Sequence, residues 1–119
     1  MLEQQGSIEL PIIPEECIHN AHMFYIKAKD LETRTKILEY LKENDVLGVF
    51  HYVPLHSAPA GLEFGRFNAK DEFTTKESER LIRLPMYYGL DQEKITYIII
   101  IDLIIIRIIL QCFSHVVLE

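Results

Sequence analysis

Apolar residues recur along this chain at two spacings, and the switches between them lay out its elements. From Ala21 to Lys27 the run Phe24-Tyr25-Ile26 predicts a strand, buried on both faces because its alternation is poor. Leu31, Ile37, Leu38 and Leu41 then repeat at helical spacing behind Asp30, whose carboxylate can accept from the free amides of a first turn. Glu32 adds favourable charge there, and Asn44-Asp45 ends the helix. Leu47 to Tyr52 reads as a second strand. The segment from Val53 to Asp71 holds two prolines and two glycines and reads as a loop long enough to carry function. Thr74 or Thr75 is expected to cap a short helix through Arg80, with Glu77 or Ser78 completing a capping box. Leu81 to Leu84 is a third short strand stopped by Pro85, and Asp91 opens a last helix near Gln92.

Upstream, Pro11 and Pro14 flank Ile12-Ile13 and favour an extended path, so Gly6 to Glu16 reads as a linker into the domain. The order β-α-β-loop-α-β-α predicts an α+β unit: two layers, a short and mostly antiparallel sheet with helices on one side. The expected division is a linker over residues 1–19, a domain over 20–94 and an isoleucine-rich tail over 95–119.

That tail holds ten isoleucines between Ile95 and Ile109. A membrane span needs about 20 apolar residues, and a central Asp or Arg costs roughly 2.5–3.5 kcal/mol on insertion scales, so Asp102 and Arg107 break the run into pieces too short to cross. Wound as a helix, it places Thr96, Arg107, Gln111, Ser114 and His115 in one stripe, with Asp102 off it and the remaining surface apolar. Helix is the expectation. Isoleucine is also a strong strand former, and strand pairing is the open alternative.

Composition narrows the class. With 119 residues the chain can bury about two-thirds of its unfolded surface, enough for one core. At 25% charged and 49% hydrophobic residues it is neither disordered nor fibrous. The net charge of -6, with no face that gathers Lys and Arg, argues against a nucleic-acid surface. Cys17 and Cys112 have no metal-like or redox spacing, and the opening residues are polar and acidic, so the expected compartment is the cytoplasm.

Few residues could carry chemistry. His51 and His56 flank Tyr52-Val53-Pro54-Leu55, where Pro54 stiffens the exit from a strand and a phenol and imidazole could bond phosphate or sugar oxygens. On spacing alone, a strand end whose polar side chains meet solvent explains the element as well. His19 and His22 could join them around a metal, but no Cys or acidic ligand accompanies them and no metal site is expected. Lys27, Lys29, Lys36, Lys42, Lys70, Lys76 and Lys94 lack the desolvated or cation-flanked setting of a cofactor-binding amine, and most stand beside Glu. Arg66, Arg80 and Arg83 read as surface or domain-interface residues. Gly61 and Gly65 lack the strand-turn-helix context of a dinucleotide loop.

Three runs resemble a known family: Asn20-Ala21-His22-Met23-Phe24-Tyr25-Ile26-Lys27, Phe50-His51-Tyr52-Val53-Pro54-Leu55-His56, and Thr74-Thr75-Lys76-Glu77-Ser78-Glu79-Arg80-Leu81. They are similar to the C-terminal small domain of the pyridoxal-phosphate-dependent nucleotide-sugar aminotransferases of the DegT/DnrJ/EryC/StrS type. The branch most resembled is the dTDP-4-amino-4,6-dideoxygalactose transaminases. The likeness covers residues 8 to 95, Tyr52 to His56 being its most specific part, and fails in the tail, where relatives carry a mixed amphipathic helix.

The resemblance implies the small domain of fold-type I aminotransferases. It implies an enzyme that moves an amino group, typically from glutamate, to a dTDP-linked 4-keto-6-deoxy sugar for surface polysaccharides such as O-antigen and enterobacterial common antigen. It also implies that Tyr52 and His56, with His51 beside them, border the substrate. The cofactor lysine of that family lies in a large domain, so this chain alone is expected to bind no cofactor and to be inactive. Its expected partners are that large domain, the nucleotide-sugar, and a second copy paired through helical tails, with Arg107 and Gln111 at the wet edge. A stand-alone binding or assembly module is the alternative.

Overall fold

The computed structural model describes the backbone of residues 8–116 and the side chains of residues 8–107. Its elements are β1 (Ile8–Glu9), β2 (Phe24–Ala28), α1 (Leu31–Glu43), β3 (Val49–Phe50), α2 (Pro59–Phe64), α3 (Thr74–Arg80), β4 (Leu81–Leu84) and α4 (Gln92–Val116). The strands lie in the order β1-β2-β4-β3, every neighbour antiparallel. This is the expected α+β unit.

Register decides which side chains enter the core. Ile26 pairs with Ile82 and Phe24 with Leu84, so these residues share one face, while Lys27 and Arg83 alternate to the other. Ile26, Ala28 and Ile82 are buried on the first face under Ile37 and Leu41 of α1. Helix α4 packs against α1 and closes the same core with Ile101, Ile105 and Ile106. The expected boundary at residue 95 therefore does not mark an edge of the core.

Helix α1 starts as Asp30 dictates: its carboxylate accepts from the Thr33 amide at 2.8 Å, and that bond holds the Asp30 carboxyl below its ordinary range. At the far end the Asn44 N–H returns to the carbonyls of Tyr40 and Leu41, and Asp45 turns the chain at a φ of 59°. Gly48 follows because α1 leaves no room. A Cβ there would stand 2.7 Å from Leu41 Cδ1.

Three expectations change. Ile8 and Glu9, expected in the linker, form an edge strand paired with Ala28 and Lys27. The loop from Val53 to Asp71 contains α2, opened by Pro59 at its first position. The capping box on Thr74 or Thr75 does not form: α3 begins at Thr74, Phe73 holds the cap position, and the Asp71 carboxylate takes the Thr75 amide. Of the two readings of the isoleucine-rich run, α4 is the expected helix, over Gln92–Val116.

In α4, Thr96 and Arg107 face outward as the stripe requires, while the side chains of Gln111, Ser114 and His115 lie outside those described. Asp102, off that stripe, points inward and is 8% exposed. Tyr97, Ile99, Ile100, Leu103 and Ile104 form an outer apolar face. Among the described residues no helix is long and apolar enough to cross a membrane.

An ion cluster staples the edge of the sheet. Lys27 Nζ bonds Glu9 at 3.0 Å and Glu77 at 2.8 Å, while Arg80 bonds the same two carboxylates and donates from Nε to the Ala28 carbonyl at 2.8 Å. Arg80, expected at a surface or domain interface, has a side chain only 12% exposed and belongs to the fold.

Candidate functional site

The end of β3 delivers the Tyr52 to His56 element into a cleft. Leu31 and Arg34 of α1, Phe50 to Pro54, Ser57, and Thr75, Ser78 and Glu79 of α3 line about 370 Å3 there. His51 and Tyr52 stand on its wall with their rings edge to face, 4.8 Å apart. Tyr52 is 76% exposed, so its phenol is available to a ligand. His56 is not among the residues that line the cleft.

His56 is committed to the loop. Its Nε2 lies 2.9 Å from Asp71 Oδ2 and 3.3 Å from the Thr75 hydroxyl, and its ring stacks on Phe67 with centroids 4.5 Å apart. The Asp71 carboxylate also accepts from the Thr75 amide and hydroxyl. The Thr75 hydroxyl, then the Thr75 amide and the His56 ring, hold the Asp71 carboxyl below its ordinary range. Of the three residues expected to border substrate, His51 and Tyr52 line the cleft together. His56, 18% exposed at its side chain, ties the two ends of the 53–71 segment to the start of α3.

Gly61 completes that tie. A Cβ on it would lie 1.5 Å from the Leu55 carbonyl oxygen, so α2 can rest on the Tyr52 to His56 element only through glycine.

Sequence reasoning missed Arg34. Its guanidinium carbon lies 5.4 Å from the centroid of Phe50, and its Nε is buried without a hydrogen-bond partner. A signal was present: Arg34 interrupts the apolar stripe of Leu31, Leu38 and Leu41, where a charged residue requires a local reason.

The other histidines do not gather. His19 Nδ1 accepts from the Ala21 amide and His22 bonds Asn20, and no cluster of possible metal ligands occurs among the described residues. Lys27, Lys36 and Lys94 each stand against a carboxylate. Lys27 lies between Glu77 and Glu9, whose bonds raise its amine above the lysine range, and Asp91 raises Lys94 the same way. Lys36 is paired with Glu32 at 2.7 Å. A cofactor-binding amine needs the opposite shift.

The model of the DegT/DnrJ/EryC1/StrS aminotransferase family matches residues 1–101. Solved structures share the fold. NtdA from Bacillus subtilis, with bound cofactor PMP, has a TM-score of 0.74 at 25% identity, over 89% of this chain and 24% of that one. A protein from Streptococcus pneumoniae described as a sugar aminotransferase, in its PMP form, gives 0.68 at 21% identity over 85% and 26%. The aminotransferase TlmJ from Streptoalloteichus hindustanus gives 0.69 at 19% identity over 80% and 25%. The chain thus spans about a quarter of the length of these relatives. With the family match running over most of its own length, the chain belongs to the DegT/DnrJ/EryC1/StrS aminotransferase family.

Proposed function

We propose that this chain is the C-terminal small domain of a nucleotide-sugar aminotransferase. Its substrate is a dTDP-linked 4-keto-6-deoxyhexose, as in the dTDP-4-amino-4,6-dideoxygalactose transaminases, and its product enters cytoplasmic steps of surface polysaccharide synthesis such as O-antigen or enterobacterial common antigen. Pyridoxal phosphate, held by a large domain, supplies the amino-transfer chemistry. This chain supplies binding. Tyr52 and His51 bond the nucleotide-sugar from the cleft wall, and His56 acts through Asp71 to hold the segment that carries them.

The observation that carries this reading is the cleft at the end of β3, where the element most specific to the resemblance presents Tyr52 and His51 beside Arg34. The test is an enzyme in which this chain replaces the small domain of a family member, assayed with dTDP-4-keto-6-deoxyhexoses. Tyr52→Phe and His51→Ala should each raise KM for the sugar roughly tenfold, about 1.4 kcal/mol, and leave KM for the amino donor unchanged. Kinetics identical to the unsubstituted enzyme would show that the cleft does not hold the sugar nucleotide.

A second reading rests on the outer face of α4. Ile99, Ile100, Leu103 and Ile104 remain exposed after the helix has covered its own core. Contiguous apolar faces of this kind are uncommon on monomers and mark contacts. In this reading the chain is an assembly module that pairs with a second copy through α4.

A further inference from the structure

We propose that the cleft between the start of β2, the start of β3 and the end of β4 is a second binding site, which takes a small monocarboxylic acid with an apolar body, held by Arg83. The site goes beyond the reading above, because it shares no lining residue with the cleft that carries Tyr52. It begins with one atom. Arg83 Nε is buried and lacks a hydrogen-bond partner, and Arg83 lines a cleft of about 350 Å3. Buried polar atoms are nearly always paired, and one left over beside a cleft points to a ligand.

Register puts Arg83 there. It pairs with Tyr25 on one side and Val49 on the other, so its side chain leaves the sheet on the face opposite Ile26 and Ile82, away from α1. No carboxylate among the described residues forms an ion pair with it. Among the described residues of the lining it is the only charged one, although the chain carries a net charge of -6. Its planar fork of N–H donors matches the two oxygens of one carboxylate.

The remaining wall sets the rest of the ligand. Met23, Leu47, Val49, Leu84, Pro85 and Met86 are apolar, the Tyr87 phenol adds a hydroxyl, and His22 is bonded through Nδ1 to Asn20. One cation in an apolar wall suits one negative charge, because a phosphate dianion or a dicarboxylate would leave a second charge desolvated against methionine and valine. Glutamate, the amino donor that the family resemblance implies, is therefore a poor fit. The thioethers of Met23 and Met86 are unbranched and polarizable, and they adapt to an aromatic or aliphatic body. Because Nε is covered, a small rotation of the Arg83 side chain accompanies binding.

The test titrates the full chain with benzoate, hexanoate, benzyl alcohol, glutamate and inorganic phosphate, following the methyl resonances of Met23 and Met86. Benzoate and hexanoate should bind saturably and shift both methyls, and the other three should bind at least about tenfold more weakly. Arg83→Gln should weaken benzoate about tenfold or more, and so should Leu47→Glu, which places a negative charge on an exposed part of the wall. Amide spectra show that each variant is folded. No saturable binding of either acid by about 10 mM, or an affinity for benzoate unchanged in both variants, overturns the proposal. Glutamate or phosphate binding as tightly as benzoate would overturn the monocarboxylate assignment. A glutamyl-leucine dipeptide blocked at both ends that outcompetes hexanoate would overturn the small-acid reading and make the cleft a protein contact.

Discussion

Nε2 of His56 stands 2.9 Å from Oδ2 of Asp71, and through this contact the segment carrying Tyr52 is fastened to the first turn of α3. Without it, the fourteen residues between the two are held by α2 resting on Leu55 and by the stack of His56 on Phe67. His56→Ala removes the contact and the stack on Phe67 together. It should cost roughly 1 kcal/mol, lowering Tm by about 4–8 °C, and should speed proteolysis between Leu55 and Asp71. An unchanged melting curve with impaired substrate binding would instead put His56 itself against the substrate.

Acid should loosen the same tie. The Asp71 carboxyl sits below its ordinary range in the fold, so its contribution is present at pH values above the unfolded carboxylate value of about 3.9 and is lost as pH falls through the folded value. This is the usual direction for a carboxylate. Asp102 runs the other way.

Burial alone pushes the Asp102 carboxyl up from 3.8 to about 7. The folded chain therefore keeps that proton where the unfolded chain has released it. Stability from the bound proton is full below about pH 4, declines as pH rises, and is gone above about pH 7, a loss on the order of 4 kcal/mol. Asp102→Asn, which has the same shape and no charge, should flatten the curve of stability against pH between 5 and 8. Urea unfolding at several pH values measures it. Parallel curves for the two proteins would contradict the burial of Asp102.

Arg80 tests the edge of the sheet. Its guanidinium holds β1 to α3 through Glu9 and Glu77 and reaches the Ala28 carbonyl at 2.8 Å. Arg80→Ala should cost about 1–3 kcal/mol by urea unfolding, with β1 exchanging its amide hydrogens first. A cost near zero would mean that the cluster behaves as an ordinary surface ion pair.

The outer face of α4 predicts association. Removing the helix would destroy the core, because Ile101, Ile105 and Ile106 belong to it, so the informative change is on the surface. Ile100→Glu with Ile104→Lys should convert a dimer to a monomer in sedimentation while leaving Tm within a few degrees. If the unsubstituted chain already sediments as a monomer, the pairing of α4 between copies is wrong.

Local patterning made much of this legible. Asp30 was readable as the start of α1, Asp91 as the start of α4, and the short strands before Ala28 and Pro85 stand where their apolar runs lie. Non-local pairing was not. Nothing in Ile8-Glu9 announces an edge strand, because what defines it is Lys27 and Ala28 across the ladder. The split between His56 and the Tyr52–His51 pair depends on Asp71 and Phe67, distant in sequence. The inward turn of Asp102 depends on which side of α4 meets α1, and a helix apolar on so many sides does not say which.

The central claim is that this chain completes a sugar-nucleotide aminotransferase by supplying its small domain. The most direct measurement adds the purified chain to a family large domain that carries pyridoxal phosphate but lacks its own small domain, and follows amino transfer from glutamate to a dTDP-4-keto-6-deoxyhexose. The account predicts turnover only when both are present, reduced roughly tenfold when the added chain carries Tyr52→Phe. Saturating chain that leaves the large domain as inactive as before, or full turnover by either component alone, would contradict it.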